Sequence, residues 1–242
     1  MTTALVIAGH GSTKNAGSRK PICATVQEIR RRGLYDRVVC ALWKEEPHVS
    51  TRLDTLDADD ITIVPYFMSA GYYTDNVIPR EMKLTGALTL RDGKTIRYTP
   101  PIGTHPAMAN LMVQRAHEAG AGPADTLVLL GHGTRRNKRS ADTIEAQAAR
   151  VRDRGIFAAV LTAFIDQDPH ISGVFERADT ARIVMVPYFA ADGWHVTETI
   201  PADLAMESGK VERDGKTLFY AGAVGSEPSI VEIVLELAAA AK

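Results

Sequence analysis

Gly9-His10-Gly11-Ser12 recurs 122 residues later as Gly131-His132-Gly133-Thr134. The same offset carries Pro47-His48 onto Pro169-His170 and Pro65-Tyr66-Phe67 onto Pro187-Tyr188-Phe189. It also carries Ile78-Pro79 onto Ile200-Pro201 and Arg91-Asp92-Gly93-Lys94-Thr95 onto Arg213-Asp214-Gly215-Lys216-Thr217. The register does not slip over these motifs, so the chain reads as two copies of one unit. A unit of this size is a small domain, not a solenoid repeat. The sequence therefore divides into an N-terminal lobe, residues 1–121, and a C-terminal lobe, residues 122–242, joined near Ala119-Gly120-Ala121-Gly122-Pro123.

Within each copy, short apolar runs ending in Gly alternate with segments of helical spacing. Ala4–Ala8 and Thr126–Leu130 read as first strands, followed by helices over Asn15–Arg32 and Asn137–Arg154. Three more strands follow in each copy, near Arg37–Trp43, Ile61–Tyr66 and Thr95–Tyr98 and their counterparts. This β-α alternation predicts an α/β fold of two similar flavodoxin-like, doubly wound lobes. Each lobe is expected to hold a mostly parallel four-stranded sheet flanked by helices, with a cleft between the lobes. Loops at the carboxyl ends of the strands would gather around a ligand there.

Of the 242 residues, 45% are hydrophobic and 24% charged, an ordinary globular balance that argues against a disordered or membrane-spanning chain. Twenty-eight basic against 29 acidic residues leave a formal charge of −1, so no global basic field exists to hold nucleic acid. Cys23 and Cys40 have no zinc spacing and read as two buried thiols in a reducing cytosol. The first residues form one short apolar run without a basic flank, which reads as a strand, not a leader, and predicts a cytoplasmic protein. The Gly-x-Gly pairs lack the third Gly of a dinucleotide fingerprint, and no Walker-type Gly-Lys-Ser/Thr occurs at the required spacing, so no nucleotide is expected.

His10 and His132 each follow a first strand between two glycines, which favours a functional role over a helix cap. His195, in Asp192-Gly193-Trp194-His195-Val196, follows the third strand of the second copy; its counterpart is Tyr73. The first and third strands of doubly wound sheets are neighbours, so His132 and His195 should meet. Two imidazoles with open positions suit a borderline divalent metal such as Co²⁺, Fe²⁺ or Ni²⁺. Glu46 and Asp168, each before a Pro after the second strand, are candidates for a third ligand or a base, or simply acids at a helix start. The cationic stretch Arg135-Arg136-Asn137-Lys138-Arg139 after His132, with Lys14, Arg19 and Lys20 on similar ground in the first copy, could clamp a polycarboxylate or lie on a solvated helix face.

The ordered set Gly-His-Gly-Ser/Thr, then Val-Pro-Tyr-Phe, then Gly-x-His-Val and Ile-Pro, resembles the CbiX-type sirohydrochlorin chelatases. These are class II, ATP-independent tetrapyrrole chelatases. The resemblance spans both halves and matches the long, internally duplicated form. It implies insertion of a divalent metal, Co²⁺ first and Fe²⁺ second, into sirohydrochlorin with loss of two pyrrole protons. The metal is then a substrate, and the partner is the tetrapyrrole, with no nucleic acid and no membrane. Carried over by motif, His132 and His195 are the metal-binding and catalytic pair. His10 is a helper base or a relic of an incomplete first copy. Tyr73 and Trp194, with Arg135, Arg136 and Lys14, are expected to hold the macrocycle and its carboxylates. A duplicated chain supplies both lobes itself and so suits a monomer, although the sequence equally permits a dimer. Two other readings compete: a tetrapyrrole or metal carrier without turnover, and a histidine phosphatase. The second expects Arg before the His, where Gly9 and Gly131 stand.

Overall fold

The computed structural model describes residues 1–13, 15–134 and 139–242. In the first copy the elements are β1 (Thr3–Gly9), α1 (Lys20–Arg32), β2 (Arg37–Leu42), α2 (Val49–Arg52), β3 (Asp60–Pro65), α3 (Ile78–Glu81), β4 (Leu88–Arg91), β5 (Lys94–Tyr98) and α4 (Met108–Glu118). The second copy repeats them as β6 (Thr126–Gly131), α5 (Arg139–Arg152), β7 (Ala159–Phe164), α6 (Val174–Arg177), β8 (Arg182–Pro187), α7 (Ile200–Asp203), β9 (Lys210–Arg213), β10 (Lys216–Tyr220) and α8 (Ile230–Ala240). No helix among the described residues is long and apolar enough to cross a membrane.

The near-continuous apolar runs of β1 and β6 are buried on both faces, as central parallel strands must be. Helix α1 presents Ile22, Thr25, Val26 and Ile29 at helical spacing to one face of its sheet, and α5 presents Ile144, Gln147, Ala148 and Val151. On the other face of β1 to β3, residues such as Val6, Ile61 and Ile63 pack with Val49, Leu53, Ile78 and Met82. Each sheet is thus a central layer between helices.

The strand orders are β2-β1-β3-β5-β4 and β7-β6-β8-β10-β9. Each sheet has five strands, one more than the sequence suggests. The first four run parallel and the extra strand pairs antiparallel at the edge. The Asp92-Gly93 and Asp214-Gly215 turns therefore close β-hairpins. The repeated lysine beside each turn is structural. Lys94 Nζ donates to the Leu53 and Leu56 carbonyls, and Lys216 Nζ to those of Phe175 and Ala178.

The compact units do not follow the repeat boundary at residue 121. One comprises Met1–His105 and Pro228–Lys242, the other Pro106–Glu227. The closing helix of each repeat has joined the sheet of the other. In the first unit, α8 packs on β3 and α1, and Arg32 pairs with Glu28 and Glu232. In the second, α4 packs on α5 and β8, and Arg115 Nε lies 2.5 Å from the buried Glu227. The reason lies in burial: α8 hides Ile230, Val231, Ile233, Val234 and Leu237, and α4 hides Met108, Leu111 and Met112.

Candidate active site

In a sheet ordered β7-β6-β8, the connections diverge between β6 and β8, and ligands bind beyond the carboxyl ends at such a switch point. His132 follows β6 and His195 opens the one-turn π-helix His195–Thr199 after β8. Two glycines shape the first loop. A Cβ on Gly131 would come 2.0 Å from Ile144 Cδ1, so Gly lets α5 lie against the strand end. Gly133 has φ +73°, and its missing Cβ leaves room for Gln167 and Phe164. The Gln167 side chain then accepts from the Thr134 N–H at 2.8 Å, and the Asp166 N–H donates to the His132 carbonyl at 2.9 Å. The β8 loop is held by Tyr220, whose hydroxyl donates to the Val196 carbonyl at 3.1 Å.

These anchors bring the His132 and His195 rings to 5.0 Å between centroids, crossed at 80°. His132 Nδ1 faces two acceptors, the Gly133 carbonyl at 3.1 Å and Asp166 Oδ2 at 3.1 Å. Two acceptors place the proton on Nδ1 and leave the Nε2 lone pair free for a metal or a proton. The His195 imidazole titrates below its ordinary range. Partial burial is the larger cause; the His132 ring beside it acts in the same direction, and Asp166 opposes both. Near neutral pH His195 is therefore an uncharged ligand or base. Trp194, 65% exposed, stands next to His195 in the chain.

The first unit builds the same frame with different side chains. His10 and Tyr73 lie 5.0 Å apart between centroids, crossed at 81°. Tyr73 also stacks on Phe67 and meets Tyr72 edge-on. His10 Nδ1 is 2.8 Å from the Gly11 carbonyl, but Lys44 occupies the place of Asp166. This copy offers one imidazole and an aromatic surface.

Glu46 accepts from the His48 N–H at 2.8 Å and so supports the start of α2. Asp168 is exposed, and the carboxylate that reaches His132 is Asp166, two residues earlier. No three His, Cys, Asp or Glu side chains converge to hold a metal among the described residues. The arrangement is a histidine pair with a flanking carboxylate. Lys14, Arg135 and Arg136 lie outside the described residues.

The CbiX family model matches twice, over residues 4–119 and 126–241. The chain belongs to the CbiX family. A probable sirohydrochlorin cobaltochelatase of Halobacterium salinarum is 40% identical to this CbiX chain over 98% of its length and 90% of the relative's. A multi-domain Deinococcus radiodurans protein with structural similarity to chelatases superposes with a TM-score of 0.84 at 32% identity. The match covers 98% of this CbiX chain, which spans 54% of that protein. The sirohydrochlorin chelatase of Bacillus subtilis, solved with cobalt, shares the fold over the whole chain and 95% of its own, with a TM-score of 0.73 at 16% identity.

Proposed function

We propose that this chain is a sirohydrochlorin cobaltochelatase, inserting Co²⁺ into sirohydrochlorin with release of two pyrrole protons on the route to cobalamin. The crossed His132–His195 pair carries the reading. Two imidazoles at a sheet switch point can hold a borderline divalent ion and then surrender it, because among the described residues no third ligand closes the shell. The close relationship to the Halobacterium cobaltochelatase supports the same activity and favours cobalt.

The steps follow from the chain's own groups. The substrate ion binds at His132 Nε2 and His195. Asp166 holds the Nδ1 proton of His132 and steadies the ring. As the ring nitrogens of the macrocycle take the metal, each freed imidazole can accept a pyrrole proton and pass it to water. Arg135, Arg136 and Lys14 meet substrate carboxylates in this reading, and Trp194 and Tyr73 offer flat apolar surfaces to the macrocycle. One site works per chain, since the first copy lacks the second imidazole. In this reading the protein acts in the cytoplasm without nucleotide, and the duplicated chain suits a monomer without excluding a dimer.

Visible absorption of sirohydrochlorin mixed with the protein and Co²⁺, Fe²⁺ or Ni²⁺ tests this directly. Faster conversion than in the protein-free control, and fastest with Co²⁺, is the expected result. Fastest conversion with Fe²⁺ would reassign the chain to sirohaem synthesis. A shifted spectrum without conversion would make it a carrier.

A further inference from the structure

Cys23 lies on α1 and Cys40 on β2; both are free and half-buried, and neither is used by the chemistry above. The duplication shows how close these two positions are. Their counterparts in the second copy are Glu145 and Thr162, and there the Thr162 hydroxyl donates directly to the Glu145 carboxylate. The helix sits on its strand in the same register in both copies. Arg30 Nε donates to the Val38 carbonyl at 2.7 Å, and its counterpart Arg152 Nε to the Val160 carbonyl at 2.9 Å. By the same register Cys23 on α1 and Cys40 on β2 both lie at the α1–β2 contact, near enough for Cys23 to act on the Cys40 thiol.

We propose that Cys23 and Cys40 form an oxidisable dithiol, a modification site that closes to an intramolecular disulfide tying α1 to the edge strand β2. The oxidant is a small disulfide such as oxidised glutathione. A protein thiolate attacks it, its S–S bond breaks, one glutathione thiol leaves and a mixed disulfide forms. The second protein thiolate then attacks the protein sulfur of that bond and releases the second glutathione. Two electrons pass from the cysteines to the reagent, and two protons end on the released thiols at neutral pH. Burial pushes the Cys40 thiol up, and the nearby Cys23 adds to this. Cys40 is therefore the slow nucleophile, Cys23 opens the exchange, and closure accelerates with pH.

The test uses the whole chain treated with oxidised glutathione, followed by intact mass and a thiol count under denaturing conditions. The expected product has no titratable thiol, no retained glutathione and a mass lower by two hydrogens. Its digest contains one peptide pair cross-linked through Cys23 and Cys40, and dithiothreitol restores both thiols. The Cys40→Ser variant is expected to stop at a single glutathione on Cys23. Two glutathiones retained on the wild-type chain, a disulfide between chains, or two thiols still free would overturn the proposal.

Discussion

Asp166 distinguishes His132 from an ordinary loop histidine, because it fixes which ring nitrogen carries the proton. Asp166→Asn keeps the shape and removes the charge. We expect metal insertion to slow about 10-fold, a typical loss for a group that orients a ligand. The same variant should lower the midpoint of His195, since Asp166 raises it; NMR titration of the imidazole Cε1–H signals reads this. In the wild type that midpoint should fall below the ordinary 6.5. On acidification the unfolded chain then takes up the proton first. The His195 contribution to stability is intact above pH 6.5 and declines as pH falls from there through the lower folded value. His132 and His195 were legible in the sequence because glycines and strand ends marked them. Asp166 was not: the two copies share their acid–proline pairs, whereas the position equivalent to Asp166 in the first copy is Lys44.

Among the elements, the long apolar strands and amphipathic helices were readable to within a few residues, because burial on a sheet face imposes their periodicity. The edge strands β4 and β9 were not. Each has four residues, and β4 leaves Leu88 and Leu90 exposed, so no buried pattern betrays it. The same brevity hides the extents of α2 and α6. The Gly-His-Gly loop makes a sharper statement about packing. Gly131→Ala would drive a methyl into Ile144 and should cost about 1–3 kcal/mol, as overpacking does. Ile144→Val removes the clashing Cδ1, so the double variant should recover part of the loss; urea unfolding of both variants measures it.

Across the whole molecule, duplication in sequence and compactness in space have different boundaries. The repeat ends near residue 121, but residues 228–242 pack in the first unit, where Ile230, Val231 and Val234 of α8 are buried. Burying each such side chain is worth about 1.5–3 kcal/mol at most. Residues 1–121 expressed alone should therefore lack cooperative unfolding, whereas residues 106–227 should fold, with α4 in place and Arg115 on Glu227. Thermal melts followed by circular dichroism distinguish the two. No periodicity argument could reveal this, because α4 and α8 are interchangeable in pattern and only tertiary packing decides which sheet each covers.

The central claim is that two crossed imidazoles of the second copy deliver the metal. The most direct test is the rate of Co²⁺ insertion into sirohydrochlorin by His195→Ala and His132→Ala, with circular dichroism confirming that each remains folded. The account predicts that both fall to the rate without protein. A wild-type rate in either folded variant would contradict it.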